Sequence, residues 1–358
     1  MVNIVLLLLP LIIGYSLSLF ANNREGKSRC MIVPWALFMF IYWSFFDFGS
    51  VPDVEYTNIT FDYLGNHSIT QYLDTGSYSF DPGFLIYLKS LHILSDNPRV
   101  IYVVRSIVVL FCFIHAFKNH SKDIPFSILV FLLYAGSVFQ SIFVVRQYMA
   151  AAIFLLSINY IINKRFWKYL IVSIIAISFH ASLIVCFPLY FAYNYIKITK
   201  KSLFLIVVAV AIIAMTANML LVDFSAYFSL YTAYTDSDYF EADAVMGGVG
   251  YAVRSVFFLF VFLVVCRKSI NENYGKLYFW VLCLTLILSF GIIGIRTGSR
   301  LMPTVNYWSF LIIPYIYINI QKKLSKRFFY IGMLLLFVLM TYREMIAIGD
   351  QTFKFMEL

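Results

Sequence analysis

The sequence predicts an all-α, polytopic integral membrane protein: a single helical transmembrane domain over residues 1–358, with about ten crossings and a re-entrant helical hairpin near His180. Three observations predict it. Hydrophobic residues make up 62% of the chain and charged residues 13%, with mean hydropathy +0.84, so most of the chain is unsuited to water. Apolar runs approaching the ~20 residues that a helix needs to cross a bilayer recur from residue 2 to residue 342. Basic residues gather in short connectors between these runs, whereas the long polar stretches are acidic.

The first run, "MVNIVLLLLPLIIGYSLSLF", has its positive charges (Arg24, Lys27, Arg29) after it, and no small-residue cleavage pattern follows. It reads as a retained helix over 2–21 rather than a signal peptide. Basic connectors follow at 24–29, 118–122, 164–168, 197–201, 267–276 and 322–327, holding 18 of the 27 Lys and Arg residues. The positive-inside rule makes them cytoplasmic. Between residues 47 and 81 stand Asp47, Asp53, Glu55, Asp62, Asp74 and Asp81 without a Lys or Arg, and residues 223 to 243 carry five more acids. These are read as outer acidic loops at about 48–98 and 223–248. The remaining spans fall near 31–47, 99–117, 124–143, 146–163, 202–222, 249–266, 277–295, 301–320 and 328–342, with both termini outside. Only about 30 residues separate the connectors at 164–168 and 197–201, too few for two full crossings although both ends lie on the same side. Two short helices turning near His180 meet both constraints. "DPGFLIYLKSLHIL" (81–94) reads as a short interfacial helix that Pro82 and Gly83 begin.

Composition also removes function classes. A net charge of +9 in such an apolar chain reports orientation, so no nucleic-acid partner is expected. The five cysteines lie in or beside apolar runs without paired spacing, which predicts neither a disulfide framework nor a zinc site. "DSDYFEAD" (236–243) lacks the glycine and full ligand set of a calcium loop, and no phosphate-binding loop, dinucleotide fingerprint, zinc-protease motif or serine elbow is present. No metal or cofactor is expected.

Nine basic residues lie outside the connectors: Lys89, Arg99, Arg105, Arg146, Arg254, Arg296, Arg300, Arg343 and Lys354. Seven are arginine, against 13 Lys and 5 Arg within the connectors. Orientation alone does not select arginine, whereas bidentate recognition of phosphate or carboxylate does. An arginine at bilayer depth costs roughly 2.5 kcal/mol or more without a partner or a wet cavity. Arg146 in "SIFVVRQYMAAAIFLL" therefore either pairs with an outer acid or belongs to an anion site. Together with Arg296 and Arg300 of "IRTGSR" it forms a candidate diphosphate clamp. His180 stands inside an apolar segment, either as a hydrogen-bonded packing residue or as a base at a cavity floor. Asp53, Glu55 and Asp81 stand beside aromatics and turn residues, a composition suited to sugar hydroxyls.

The order "PDVEY", "DPGF", "VRQYMAAAIF", "SFHASLIVCFPLYF", "RTGSRLMPTVNYWSF", over about residues 45 to 315, resembles the EpsG/Wzy family of polysaccharide polymerases, which includes O-antigen polymerases. Here Pro52 precedes Asp53 with Tyr56 three residues on, and Asp81 and Phe84 stand where that family usually has glutamate and tyrosine. The resemblance implies transfer of a glycan from undecaprenyl diphosphate to the terminal sugar hydroxyl of another lipid-linked repeat unit, at the outer face of the bacterial inner membrane. It implies catalytic roles for His180, Asp81 and Asp53, substrate binding by Arg146, Arg296, Arg300 and Tyr56, and no cofactor. The partners implied are undecaprenyl-diphosphate-linked oligosaccharide, the lipid bilayer and a chain-length regulator protein. Such a reaction needs a base for the attacking hydroxyl and cations for the departing diphosphate. An O-antigen ligase using the same donor, a lipid-linked oligosaccharide flippase and, more remotely, an outer-facing acyltransferase are the alternatives. The acidic loops disfavour the ligase, whose acceptor is itself acidic, and the lack of an internal repeat disfavours the flippase.

Overall fold

The computed structural model describes residues 9, 12–17, 31–47, 52–75, 80–120, 123–137, 145–202, 204–210, 212, 244–291, 301–348 and 354–355. Among these the protein is almost wholly helical. The elements are α1 (Ile32–Phe45), α2 (Pro52–Asn66), α3 (Ile69–Asp74), α4 (Pro82–Leu91), α5 (Arg99–His120), α6 (Ile124–Ser137), α7 (Val145–Leu155), α8 (Ile158–Ile162) and α9 (Phe166–Phe179). A 3-10 helix (Ala181–Cys186) follows, then α10 (Leu189–Tyr195), α11 (Ala244–Val265), α12 (Asn273–Gly291), α13 (Met302–Asn306), α14 (Ser309–Asn319) and α15 (Lys323–Ile348). One departure from the all-α expectation is a two-residue antiparallel ladder, β1 (Phe46–Asp47) with β2 (Lys354–Phe355), which sets Asp47 opposite Lys354.

Three stretches are long and apolar enough to cross a membrane: Arg99–His120, Val145–Ile162 and Asn273–Gly291. Ile32–Phe45, Ile124–Leu133, Phe166–Phe179, Ala181–Tyr195 and Val249–Val265 are apolar but shorter. The expected spans at 31–47, 99–117, 124–143, 146–163, 249–266, 277–295, 301–320 and 328–342 each coincide with one or two of these elements. Those at 2–21 and 202–222 lie largely outside the described residues, as does the acidic stretch at 223–243. Surface character shows where lipid belongs. On α15, Leu324, Phe328, Ile331, Leu335 and Val338 are all more than half exposed at spacings of three and four, one continuous apolar stripe that water would not favour.

The inside of the bundle is aromatic. Phe113, Phe131, Tyr307 and Phe310 pack ring on ring between α5, α6 and α14, and Trp35 and Trp43 of α1 close over Phe131. The 166–195 segment turns back on itself as its length requires. Its first residue, Phe166, meets the rings of Tyr190 and Phe191, while Tyr169 stacks on Tyr190 and donates its hydroxyl to the carbonyl of Phe187 at 2.7 Å. At 14 residues α9 is about 21 Å long, short of a hydrocarbon core of ~30 Å.

The described residues of the 48–98 segment are mostly helical. They form α2, α3 and α4 around a core of Phe61, Leu64, Tyr72, Phe80, Phe84, Leu85 and Leu88, continuous with Ile101 of α5 and with Val145 and Met149 of α7. Ser68 and Gln71 form a capping box on α3. His92 stacks on Phe61 at 3.9 Å and bonds its carbonyl oxygen through Nε2, pinning α2 to the end of α4. The short helix expected over 81–94 is α4 over Pro82–Leu91, with Asp81 as its N-cap residue and Pro82 in its first turn.

Candidate functional site

The basic residues that lie outside the basic connectors divide by what they touch. Lys89 donates to the carbonyls of Leu64 (2.6 Å) and His67 (3.2 Å), closing the C-terminal end of α2. Arg99 donates to the carbonyl of Ser44 at 3.0 Å, tying α5 to the last turn of α1. Arg105 is fully buried in α5, with its guanidinium over the rings of Trp43 (5.6 Å) and Tyr148 (5.9 Å), and so joins α1, α5 and α7. All three serve the fold. Arg146 differs, because it stands at the start of α7 opposite a carboxylate.

That carboxylate is Asp81. An aspartate at an N-cap ordinarily bonds its own helix, but the Asp81 side chain makes no such bond. Its main-chain carbonyl accepts from Phe84 and Leu85, and its side chain reaches a different element. Oδ1 accepts the backbone N–H of Ala181 at 3.1 Å, and Oδ2 lies 4.0 Å from Nη1 of Arg146. Asp81 thus satisfies the first N–H of the 3-10 helix from a hundred residues away. Both charged side chains are largely buried, 14% exposed for Asp81 and 12% for Arg146. The Arg146 guanidinium carbon also stands 4.2 Å over the ring of Phe80, a cation–π contact. Outside the spanning segments, burial raises the affinity of the Asp81 carboxylate for a proton above the ordinary aspartate value, and the Arg146 charge and the Ala181 N–H oppose that rise.

The meeting of α4 with the end of α9 depends on Gly83. A Cβ there would stand 2.8 Å from the carbonyl of Ser178, so only glycine lets the two backbones approach and Asp81 reach Ala181. Sequence reading took Gly83 only as a helix-start signal. Its close approach is what the "DPGF" element accomplishes.

His180 ends α9 in extended geometry, φ −158° and ψ 115°, and caps the 3-10 helix. Its Nδ1 accepts the backbone N–H of Ser182 at 3.3 Å and lies 2.7 Å from the Ser182 hydroxyl. A backbone N–H can only donate, so Nδ1 carries the lone pair and the neutral ring holds its proton on Nε2. Behind the ring, Gln147 Nε2 donates to the Ser182 hydroxyl at 3.1 Å and to Thr304 Oγ1 at 3.5 Å, and Thr304 bonds the carbonyl of Leu301. Gln147 is 1% exposed and thereby ties α7, the 3-10 helix and α13 together behind Arg146.

The structure brings together Asp81, Arg146 and His180. Asp53 is the second residue of α2 and Tyr56 stands one turn later, 38% exposed; the side chain of Asp53 lies outside the described residues. Arg296 and Arg300 lie outside them too, immediately before Leu301 and α13. Sequence reading missed Gln147, Ser182 and Thr304. The signal for Gln147 was its place beside Arg146 in an apolar run, whereas Thr304 offered none. Among the described residues no group of His, Cys, Asp and Glu has the arrangement of a metal site.

A model of the EpsG family matches residues 54–357, which is most of the chain. No curated protein and no solved structure matches it.

Proposed function

The chain belongs to the EpsG family and is a polysaccharide-polymerase-like membrane protein, and on that premise we propose that it is a glycosyltransferase of the outer face of the bacterial inner membrane. Its reaction transfers a glycan from undecaprenyl diphosphate to the terminal sugar hydroxyl of another lipid-linked repeat unit. The observation that carries this reading is the convergence of a buried carboxylate, an arginine and a capped histidine from three separate segments, Asp81, Arg146 and His180. In the reaction, the acceptor oxygen forms a bond to the anomeric carbon of the donor while the bond from that carbon to the diphosphate oxygen breaks. The hydroxyl proton passes to Oδ2 of Asp81, because Oδ1 is held by Ala181. Raised proton affinity suits that carboxylate to the role. The departing diphosphate is an acidic anion that needs cations rather than a proton. Arg146 supplies one, with Arg296 and Arg300 as further ligands.

His180 enters as a donor. With Nδ1 committed to Ser182, its Nε2–H stabilises an oxygen of the donor or acceptor, and Asp81 is the base. Asp53 and Tyr56 on α2 contact the acceptor sugars, where a carboxylate and an aromatic ring suit hydroxyls and a sugar face. The basic connectors support an orientation with both termini outside. So does the ladder that places Lys354 beside Asp47, at the start of the first outer segment. A chain-length regulator protein is the further partner of this reading.

The test is reconstitution. Purified protein in lipid, given undecaprenyl-diphosphate repeat units, is expected to yield a ladder of lengthened lipid-linked products. Unchanged single units, or transfer only to a lipid A–core acceptor, would overturn the reading.

A further inference from the structure

Between residues 124 and 222 the chain carries seven Lys and Arg residues and no Asp or Glu. Six of the seven lie in the connectors at 164–168 and 197–201, and the reversal of the 166–195 segment brings these connectors to one end of the bundle. Three helix ends meet there. Asn194 of α10 donates to the carbonyl of Ile161 in α8 at 3.2 Å, and the Tyr193 hydroxyl donates to Asn273 of α12 at 3.5 Å. Lys164 follows the end of α8 and Lys197 the end of α10, while Lys276 of α12 holds its Nζ 5.0 Å over the ring of Tyr193. The charges of Lys164 and Lys197 both act on Lys276.

Two of these placements are unfavourable in themselves. Lys164 has φ 55°, in the left-handed region, and stands just past α8 where glycine is the usual residue. The Arg165 N–H donates to the carbonyl of Tyr160 at 2.9 Å and the Lys164 N–H to that of Ile161 at 3.2 Å, the bond pair that closes a helix around such a residue. Lys276 occupies the first turn of α12, the helix end whose dipole disfavours a cation. Glu272, the acid nearest to it in sequence, acts on Tyr315. Among the described residues no ion pair joins any of the three lysines to a carboxylate. Like charges held together in this way are relieved by an anion from outside the chain.

The neighbouring surface identifies that anion. Trp167 and Tyr195 are 73% and 75% exposed, one beside each connector, and the rings of Phe166 and Phe191 link them. Ile171 and Ile174 continue the exposed face of α9 beyond Trp167, at spacings of four and three. Exposed Trp and Tyr with cations on one side and an apolar stripe on the other have the order of a bilayer interface. A soluble anion would meet only the cations, whereas a lipid with an anionic headgroup covers both parts.

We infer that Lys164, Lys197 and Lys276 bind the headgroup phosphate of an anionic phospholipid whose acyl chains lie along Trp167, Ile171 and Ile174. Basic sites between helix ends hold individual lipids in this manner. The lipid bridges α8, α10 and α12 at the foot of the hairpin that turns at His180, and it stabilises the folded chain by binding it. This site is independent of the transfer reaction proposed above.

The test uses the full chain in detergent, stripped of lipid and titrated with phosphatidylglycerol, phosphatidylcholine or soluble glycerol 3-phosphate, with binding read by native mass spectrometry. Wild type is expected to retain one phosphatidylglycerol in preference to phosphatidylcholine and to melt at a higher temperature with it. Lys164→Gly separates binding from folding, because glycine suits φ 55° while the amine is lost. Without lipid it should melt no lower than wild type, yet bind phosphatidylglycerol about fivefold more weakly, the scale for one lysine at an anionic lipid surface. Lys276→Gln is expected to weaken binding similarly, and Lys323→Gln, in another connector, to leave it unchanged. Phosphatidylglycerol with brominated chains should quench a tryptophan emission component that Trp167→Phe removes. Four outcomes overturn the inference: equal affinity for phosphatidylcholine, unchanged affinity in Lys164→Gly, an equal loss in Lys323→Gln, or displacement of the lipid by an equal concentration of glycerol 3-phosphate. Quenching that Trp167→Phe leaves intact overturns the placement of the chains.

Discussion

Gly83 and Ser178 stand so close that a single added carbon at Gly83 would lie 2.8 Å from the Ser178 carbonyl, and this contact sets α4 against the end of α9. Gly83→Ala must push the two backbones apart. The expected cost is about 1–3 kcal/mol of stability, as for other overpacked contacts. Because Asp81 lies two residues earlier, its bond to Ala181 should go with it. Polymer formation is expected to collapse at near-normal expression, measured by product length beside a thermal melt. Wild-type polymer from Gly83→Ala would show that this approach does not position the site.

The Arg146 guanidinium carbon lies 4.2 Å from the centre of the Phe80 ring, and its Nη1 faces Asp81 Oδ2 at 4.0 Å. Arg146→Lys keeps the charge and loses the planar fork, so turnover should fall on the order of 10²-fold, the scale for removing one directed donor from a developing anion. Turnover at saturating donor measures this.

The same pair predicts a pH effect. Arg146 lowers a proton affinity of Asp81 that burial has raised. If the ionised carboxylate is the base, Arg146→Gln should move the acid limb of the pH–rate profile to higher pH, because the base then holds its proton more tightly. For stability the sign is opposite to that of an ordinary paired aspartate. The folded state binds the Asp81 proton more tightly than the unfolded state, so stability falls as pH rises from the ordinary aspartate value through the raised one. Asp81→Asn keeps an acceptor for the Ala181 N–H and is expected to melt no lower than wild type at neutral pH while making no polymer.

Two substitutions at His180 separate its nitrogens. Asn places an amide oxygen near the Nδ1 position and can still cap Ser182, whereas Gln places an amide N–H near Nε2. A donor role predicts substantial polymerisation from His180→Gln and little from His180→Asn. Equal loss in both, with both proteins folded, would restore the histidine as the base.

Orientation is checked by labelling single cysteines in a cysteine-free background with an impermeant reagent. Positions 62 and 47 are expected to label in intact inner-membrane spheres of native orientation, and positions 164 and 323 only after permeabilisation. The reverse pattern would invert the chain and place Asp81 and Arg146 on the cytoplasmic side.

Hydropathy and the segregation of basic from acidic stretches determined the membrane class, the helical architecture and the position of most helices. These signals are local: an apolar run must leave water whatever its neighbours do, and lysines hold their side of a bilayer independently of packing. The turn at His180 was legible for a similar reason, since a segment bounded by two basic connectors and too short to cross twice must reverse near its middle. The stretch expected as an acidic loop at about 48–98 is helical in its described part, and its acids did not show that Val54, Phe61 and Leu64 bury one face of α2 against α4 and its neighbours. What the tertiary structure alone decided is the pairing of distant parts. Nothing local links Asp81 to Ala181, a hundred positions on, or Gln147 to Thr304, 157 positions on. Nor does the composition of α5 and α7 distinguish Arg105, enclosed by Trp43 and Tyr148, from Arg146, facing a carboxylate. An arginine in an apolar run advertises that it needs a partner; which group answers is settled by which helices pack side by side.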